Sequence, residues 1–310
     1  MRIMFMGTPE ISAICLSELI ASENEIVAVV TGKDKPRGRG NVMTPTPTKA
    51  LALEHGLPVY TPDTLKDEAF SELLSEIDPD LIAVVAYGKI LPKSVLDYPK
   101  HGCINVHVSL LPKYRGAAPM QRAIINGEKE TGVTIMYMAE GVDTGDIIAT
   151  EAFPIGPADD FEAVHDRSAE LGAKLLVKTV SALEDGTAVR VPQDDSLATH
   201  AAKIEKEDCR IDFTRSAAVL DCAIRGVTPI PGAFAYLKGK MLKIFKATPT
   251  EGSGKPGEVI AVDPKGAGSF TVACREGALK IHGVIPEGKG RMSAGDFVRG
   301  RKIELGDILE

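Results

Sequence analysis

Residues 1–30 read MRIMFMGTPEISAICLSELIASENEIVAVV, and this stretch sets the fold class. An apolar run from Ile3 to Met6 ends at the turn Gly7-Thr8-Pro9, a helix-like segment covers residues 10–22, and a second apolar run spans Ile26 to Val30. Strand, helix and strand in succession imply neighbouring parallel strands with a helix laid on the sheet. The alternation continues outward, with apolar runs at Leu81 to Ala86, Ile104 to Val108 and Val133 to Met138, and helical patterns near residues 47–55, 64–76, 118–126 and 160–185. The expectation is an α/β, Rossmann-like, mostly parallel sheet with helices on both faces. The first turn has one glycine where a dinucleotide site shows GxGxxG, so a ligand other than NAD or FAD is expected at the sheet's edge.

Composition agrees with buried parallel strands. The chain has 310 residues, 44% hydrophobic and 25% charged, with no Trp and only 5% aromatics, so its core rests on Ile, Val, Leu and Ala. The length favours two domains. No apolar run approaches the roughly eighteen residues of a membrane helix. The N-terminus passes from Met1 directly into a strand, without the parts of a secretory signal, and the five cysteines have neither a zinc spacing nor a disulfide framework. A cytoplasmic protein with mostly buried thiols is expected.

Charge divides the chain unevenly. Residues 1–190 hold 18 Lys and Arg against 27 Asp and Glu, whereas residues 210–302 hold 16 against 8. A basic patch, TGKDKPRGRGNVMTPTPTK, interrupts the acidic half with Lys33, Lys35, Arg37, Arg39 and Lys49. A solvated loop explains that patch alone; together with a basic second domain it points to a polyanion partner.

After Gly186 the sequence PQDDSLATHAAKIEKEDCR reads as a linker, giving a first domain over 1–189, a linker over 190–207 and a second domain over 208–310. Beyond the linker, short runs at Ala233 to Leu237, Met241 to Phe245, Glu258 to Val262, Ser269 to Cys274 and Ala278 to Val284 are separated by close turns, the first at Lys238-Gly239. Such spacing predicts a small OB-like β-barrel, with a helix near Ser293 to Arg299 plugging one end.

The chemistry concentrates in residues 102–147. Asn105 and His107 are two apart on an expected strand and so share a face, near the end where open α/β sheets bind ligands. A buried amide and imidazole are costly unless partnered, and for the histidine taken singly a structural role would be the commoner case. Asp143, between Gly141 and Gly145 in the loop after the next strand, can supply a carboxylate to the imidazole. Ser109 is not in a nucleophile elbow, and Cys103 lies in mid-strand. Amide, imidazole and carboxylate without a nucleophile suit direct acyl transfer to an amine: Asn105 stabilises the oxyanion, while His107 and Asp143 handle the protons.

NVHVSLLPKYRGAAP (105–119) with EGVDTGDI (140–147) resembles the signature of the 10-formyltetrahydrofolate-dependent formyltransferases. MGTPE, AYGKILP, RGAAPMQRAIINGEKETGVTIM, KIEKED, IDF and IRG extend the likeness over nearly the whole chain and resemble the methionyl-tRNA formyltransferase branch of that superfamily. The resemblance implies formyl transfer from 10-formyltetrahydrofolate, a cosubstrate, to the α-amine of initiator methionyl-tRNA through a tetrahedral intermediate, with no metal and in a monomer. It makes Asn105, His107 and Asp143 catalytic. It assigns Tyr87, Gly88, Ile90, Ser109, Leu110, Leu111, Pro112 and Gly141 to the folate pocket. It gives Lys33, Lys35, Arg37, Arg39, Lys203, Lys206 and Arg225 to the tRNA, the basic loop gripping the acceptor stem. The chain departs from the pattern at Ile11, where Phe is usual, and at Ile230, where Trp is common.

Rivals remain. An N-formyltransferase acting on an amino sugar nucleotide or a purine precursor would keep the same triplet, but the first has no need of the basic loop and the second lacks a second domain. Water in place of the amine would make a formate-releasing hydrolase. An RNA-binding module on an inactive scaffold would not need Asn105, His107 and Asp143 together.

Overall fold

A computed structural model describes residues 1–38 and 40–310, with Arg37 described by its backbone alone. In chain order the first elements are β1 (Arg2–Gly7), α1 (Glu10–Ile20), β2 (Glu25–Val30), β3 (Lys35–Arg37), β4 (Val42–Thr44), α2 (Pro47–Glu54), β5 (Val59–Tyr60), α3 (Glu68–Ile77), β6 (Leu81–Val85) and α4 (Lys93–Leu96). There follow β7 (Cys103–His107), β8 (Arg115–Gly116), α5 (Pro119–Ile125), β9 (Glu130–Tyr137), β10 (Ile147–Pro154), α6 (Phe161–Glu184) and β11 (His200–Ala201). The last are α7 (Ala217–Gly226), β12 (Ala233–Leu237), β13 (Lys240–Thr250), β14 (Val259–Asp263), β15 (Ser269–Ala273), β16 (Ala278–Pro286), β17 (Met292–Ser293) and α8 (Ala294–Arg299).

Among the described residues a seven-stranded sheet runs in the order β10-β9-β7-β6-β1-β2-β5. Pairs β1 with β2, β1 with β6, β2 with β5 and β6 with β7 are parallel, whereas β9 is antiparallel to β7. Successive residues of β1 enter different cores: Ile3 and Phe5 join a cluster with Leu16, Ile104 and Leu176, while Met4 and Met6 join one with Phe70, Leu74 and Cys103. That is the period-two alternation of a strand covered on both faces. Helix α3 starts later than its apolar pattern suggests, because the Asp67 side chain accepts from Phe70 N at 3.0 Å and caps it there. Ile11 packs in the first cluster, and Ile230 is exposed.

The chain divides into two compact units whose segments interleave. One takes Met1–Gly116, Thr131–Phe153 and His165–Ala201; the other takes Ala117–Glu130, Pro154–Val164 and Ala202–Glu310. Helix α5 falls in the second because it packs on α7, where Gly226 lies so close that a Cβ there would come within 2.6 Å of Ile125 Cγ1.

In the second unit the strands are antiparallel, in the order β12-β13-β16-β15-β14 with β17 on β16. Lys238 and Gly239 join β12 to β13 with φ of 50° and 74°, the paired positive values of a tight hairpin turn. The C-terminal residues bridge both edges: Leu237 pairs with Leu309 and Glu258 with Ile308, so the sheet closes on itself as a barrel does. Phe297 of α8 is buried against this core, its ring 6.4 Å from that of Phe270. Among the described residues no helix is long and apolar enough to cross a membrane.

Candidate active site

Strand β7 ends at His107. Its neighbours fix the register, with Val84 and Met136 beside Asn105 and Thr134 beside His107. Because β9 is antiparallel, the loop that follows it leaves beside Cys103, where Met138 N donates to Cys103 O at 2.8 Å, at the far end of β7 from His107. The loop folds back, and Asp143 Oδ2 comes to 3.5 Å from His107 Nδ1. Gly145 permits this close return, since a Cβ there would fall 1.8 Å from Tyr137 O.

The imidazole is only 6% exposed and is held from its other side. His107 Nε2 is 3.0 Å from Tyr114 O; a carbonyl oxygen only accepts, so Nε2 is the donor and Nδ1 is the nitrogen facing the carboxylate. Tyr114 and Asp143 both have left-handed backbones, with φ of 62° and 53°. Such conformations persist where surrounding bonds over-determine them. Tyr114 N donates to Thr199 Oγ1 at 2.8 Å, and Gly116 N donates to Asp143 Oδ2 at 2.8 Å. Asp143 Oδ1 has no partner among the described residues. Asn105 is half-buried, and no described residue hydrogen-bonds its side-chain amide.

The turn after β7 is held by one hydroxyl of its own and one from β9. Ser109 Oγ donates to Lys113 O at 2.7 Å, and Thr134 Oγ1, fully buried, donates to Ser109 O at 2.7 Å while accepting from Leu111 N at 3.2 Å. Leu111 is buried; Leu110 and Pro112 are half-buried. Gly88 and Gly141 are exposed, and Ile90 is 78% exposed. Tyr87 differs from the pocket-lining expectation: its side chain is buried among Leu65, Phe70 and Leu91, and burial pushes its hydroxyl pKa up to about 12. Burial likewise pushes the Cys103 thiol up to about 12, which keeps it protonated and unreactive.

Of the basic loop, Lys33 pairs with Asp63, whose carboxyl it holds below the usual aspartate range, and Lys49 pairs with Asp34 at 2.8 Å. Lys35 is exposed on β3; the Arg37 side chain and all of Arg39 lie outside the described residues. In the second unit Lys203 and Lys206 are exposed. Arg225 is mostly buried and hydrogen-bonded. Its guanidinium is engaged by Asp221 Oδ2 at 2.8 Å and Asp159 O at 2.7 Å, and only 16% of the side chain is exposed. Sequence reasoning gave no part to Thr134, Tyr114, Thr199 or Gln193; their signal is hydrogen bonding between distant segments, which spacing does not carry. Among the described residues no three His, Cys, Asp or Glu side chains converge as metal ligands.

The family model described as "Formyl transferase" matches residues 1–180, and the one described as "Formyl transferase, C-terminal domain" matches residues 203–302. The chain is 47% identical over 309 residues to the methionyl-tRNA formyltransferase of Citrifermentans bemidjiense, covering 100% of this chain and 96% of that one. The chain belongs to the methionyl-tRNA formyltransferase family. Solved structures of similar fold include HypX from Aquifex aeolicus in complex with tetrahydrofolic acid, with a TM-score of 0.67 at 22% identity over 100% of this chain and 50% of that one. Another is the N-formyltransferase from Helicobacter canadensis in complex with folinic acid and dTDP-3-aminofucose, with a TM-score of 0.67 at 20% identity over 90% of this chain and 97% of that one. At these identities the likeness concerns the fold. Asn105, His107 and Asp143 all fall within the segment matched by the first family model, and the closed antiparallel sheet falls largely within the second.

Proposed function

We propose that the chain transfers the formyl group of 10-formyltetrahydrofolate to the α-amine of methionyl-initiator tRNA, in the cytoplasm and as a monomer. The carrying observation is the His107–Asp143 pair at the end of β7, with Asn105 two residues before His107 on the same face of that strand and its amide without a described partner. Membership of the family supplies the acceptor and donor classes.

Asn105 donates to the formyl oxygen as it becomes an oxyanion, a contribution of about 3 kcal/mol for one well-placed donor. As the C–N bond to the α-amine forms, Asp143 Oδ1 takes the amine's proton. His107, fixed on Tyr114 O through Nε2, faces the carboxylate with Nδ1, and the pair returns the proton taken from the amine to the departing folate nitrogen as that bond breaks. The two loops assigned to folate each carry an exposed apolar side chain, Ile90 at 78% and Val142 at 62%, which a flat aromatic ligand would cover. Ser109 to Pro112, Gly88 and Gly141 complete that wall. Lys33, Lys35, Arg37 and Arg39 contact the acceptor stem, assisted by Lys203, Lys206 and the domain over 208–310.

Incubation with 10-formyltetrahydrofolate and a panel of methionyl-tRNA, free methionine and amino sugar nucleotides tests this. Mass gain of one formyl group on methionyl-tRNA alone is expected. Gain on a sugar nucleotide, or formate release without an acceptor, contradicts it.

A further inference from the structure

Gln193 lies in the segment between α6 and β11, and its amide uses its full hydrogen-bonding capacity at one place. Nε2 donates to Asp143 O at 2.9 Å and to Gly145 O at 2.7 Å, so both of its protons hold the loop that bears the carboxylate. Oε1 accepts from Arg115 Nε at 3.0 Å and Nη2 at 2.7 Å, so both of its lone pairs are anchored to one guanidinium. Arg115 is itself tied down, with Nη2 also 2.7 Å from Asp195 Oδ1 and its backbone N donating to Thr199 O at 2.9 Å. The residue after Arg115 is Gly116, whose N–H donates to Asp143 Oδ2. The bonds therefore form a closed circuit, from the Asp143 carboxylate to Gly116, through the peptide to Arg115, across Gln193, and back to the Asp143 carbonyl.

We propose that Gln193, anchored by Arg115, is the positioning residue of Asp143, which rests on reading Asp143 as a catalytic group. Asp143 occupies a left-handed conformation, with φ of 53°, that is uncommon outside glycine, asparagine and aspartate and costs free energy where the surroundings do not stabilise it. The circuit fixes its main chain and its side chain together, and thereby the direction of Oδ1 toward the acceptor amine. Glutamine suits the position because the two flanking groups demand opposite roles: two carbonyls need a donor and a guanidinium needs an acceptor. Glutamate has no amide donor, and arginine or lysine has no acceptor. Displacement of a reacting group by about 1 Å is enough to cost roughly 10²-fold in rate.

The test compares Gln193→Ala, Gln193→Glu, Asp143→Ala and Gln193→Ala/Asp143→Ala by kcat, KM for methionyl-tRNA and for 10-formyltetrahydrofolate, and thermal melting. Gln193→Ala is expected to lower kcat roughly 10²-fold while both KM values stay within about threefold. Gln193→Glu keeps the acceptor for Arg115 but sets a carboxylate oxygen against Asp143 O and Gly145 O in place of the donor, and is expected to stay slow with KM values still within about threefold. In the Asp143→Ala background, Gln193→Ala should cost less than about twofold more, since it acts through the group already removed. Wild-type kcat in Gln193→Ala or Gln193→Glu beside an inactive Asp143→Ala overturns the proposal alone, as does a double variant slowed by the product of the single losses. Wild-type kcat in Asp143→Ala overturns the reading of Asp143 and this proposal with it.

Discussion

His107 Nδ1 and Gly116 N address the same oxygen, Asp143 Oδ2, at 3.5 and 2.8 Å, which leaves Oδ1 turned away from the protein's own donors. One carboxylate oxygen is thus structural and the other open. The same division recurs across the site: His107 Nε2 is committed to Tyr114 O, whereas the Asn105 amide has no described partner.

Asn105→Ala should lower kcat by roughly 10²- to 10³-fold with little change in either KM, because its hydrogen bond strengthens only as charge develops on the formyl oxygen. Steady-state kinetics with each substrate varied in turn checks this. A KM that rises by the full factor at constant kcat would make Asn105 a ground-state binder.

Asp208 carries an acid-sensitive part of the stability. Arg122 Nη2 and Nη1 grip its two oxygens at 2.8 and 3.1 Å, Glu205 N donates to Oδ2 at 2.9 Å, and these bonds hold its carboxyl below the usual aspartate range. A group depressed in the folded state contributes fully above its unfolded value, near 3.9, and loses that contribution as pH falls through the lower folded value. Asp208→Asn should therefore lose stability at neutral pH and show a flatter acid limb. Urea unfolding across a series from neutral pH to below 4 measures it, and an unchanged acid limb would contradict it.

Lys35 is exposed on the β3–β4 hairpin, whereas Lys33 and Lys49 have carboxylate partners. Lys35→Ala should weaken methionyl-tRNA binding and reduce the slope of log affinity against log salt by roughly one unit, while folate binding is unmoved. An unchanged slope would leave the hairpin as a solvated surface.

How far the sequence carried these results depended on the range of the forces involved. Ile3 to Met6 and Ile26 to Val30 were legible because burial on both faces writes itself as a continuous apolar run, and Lys238-Gly239 because a tight turn selects its residues. Asn105 and His107 stood out as polar groups on a strand where apolar ones are expected, and Asp143 as a carboxylate set between two loop glycines. The antiparallel direction of β9 did not, since apolar periodicity is the same for either direction, and with it went the path by which Asp143 returns to His107. The closing bridges at Ile308 and Leu309 involve too few residues to show a pattern. Gln193 was hidden because its partners lie at Arg115, Asp143 and Gly145, and the ties of Arg225 to Asp159 O and Asp221 were hidden because charge alone reports nothing of them.

The most direct measurement is single-turnover formylation of methionyl-initiator tRNA by the wild type, His107→Ala, Asp143→Ala and the double variant. The wild type should transfer the formyl group, each single variant should lose most of the rate with folate binding nearly intact, and the double variant should be little slower than the worse single, because the pair acts as one unit. A double variant slowed by the product of the two losses, or a wild-type rate in either single, would contradict the His107–Asp143 pair as the centre of the reaction.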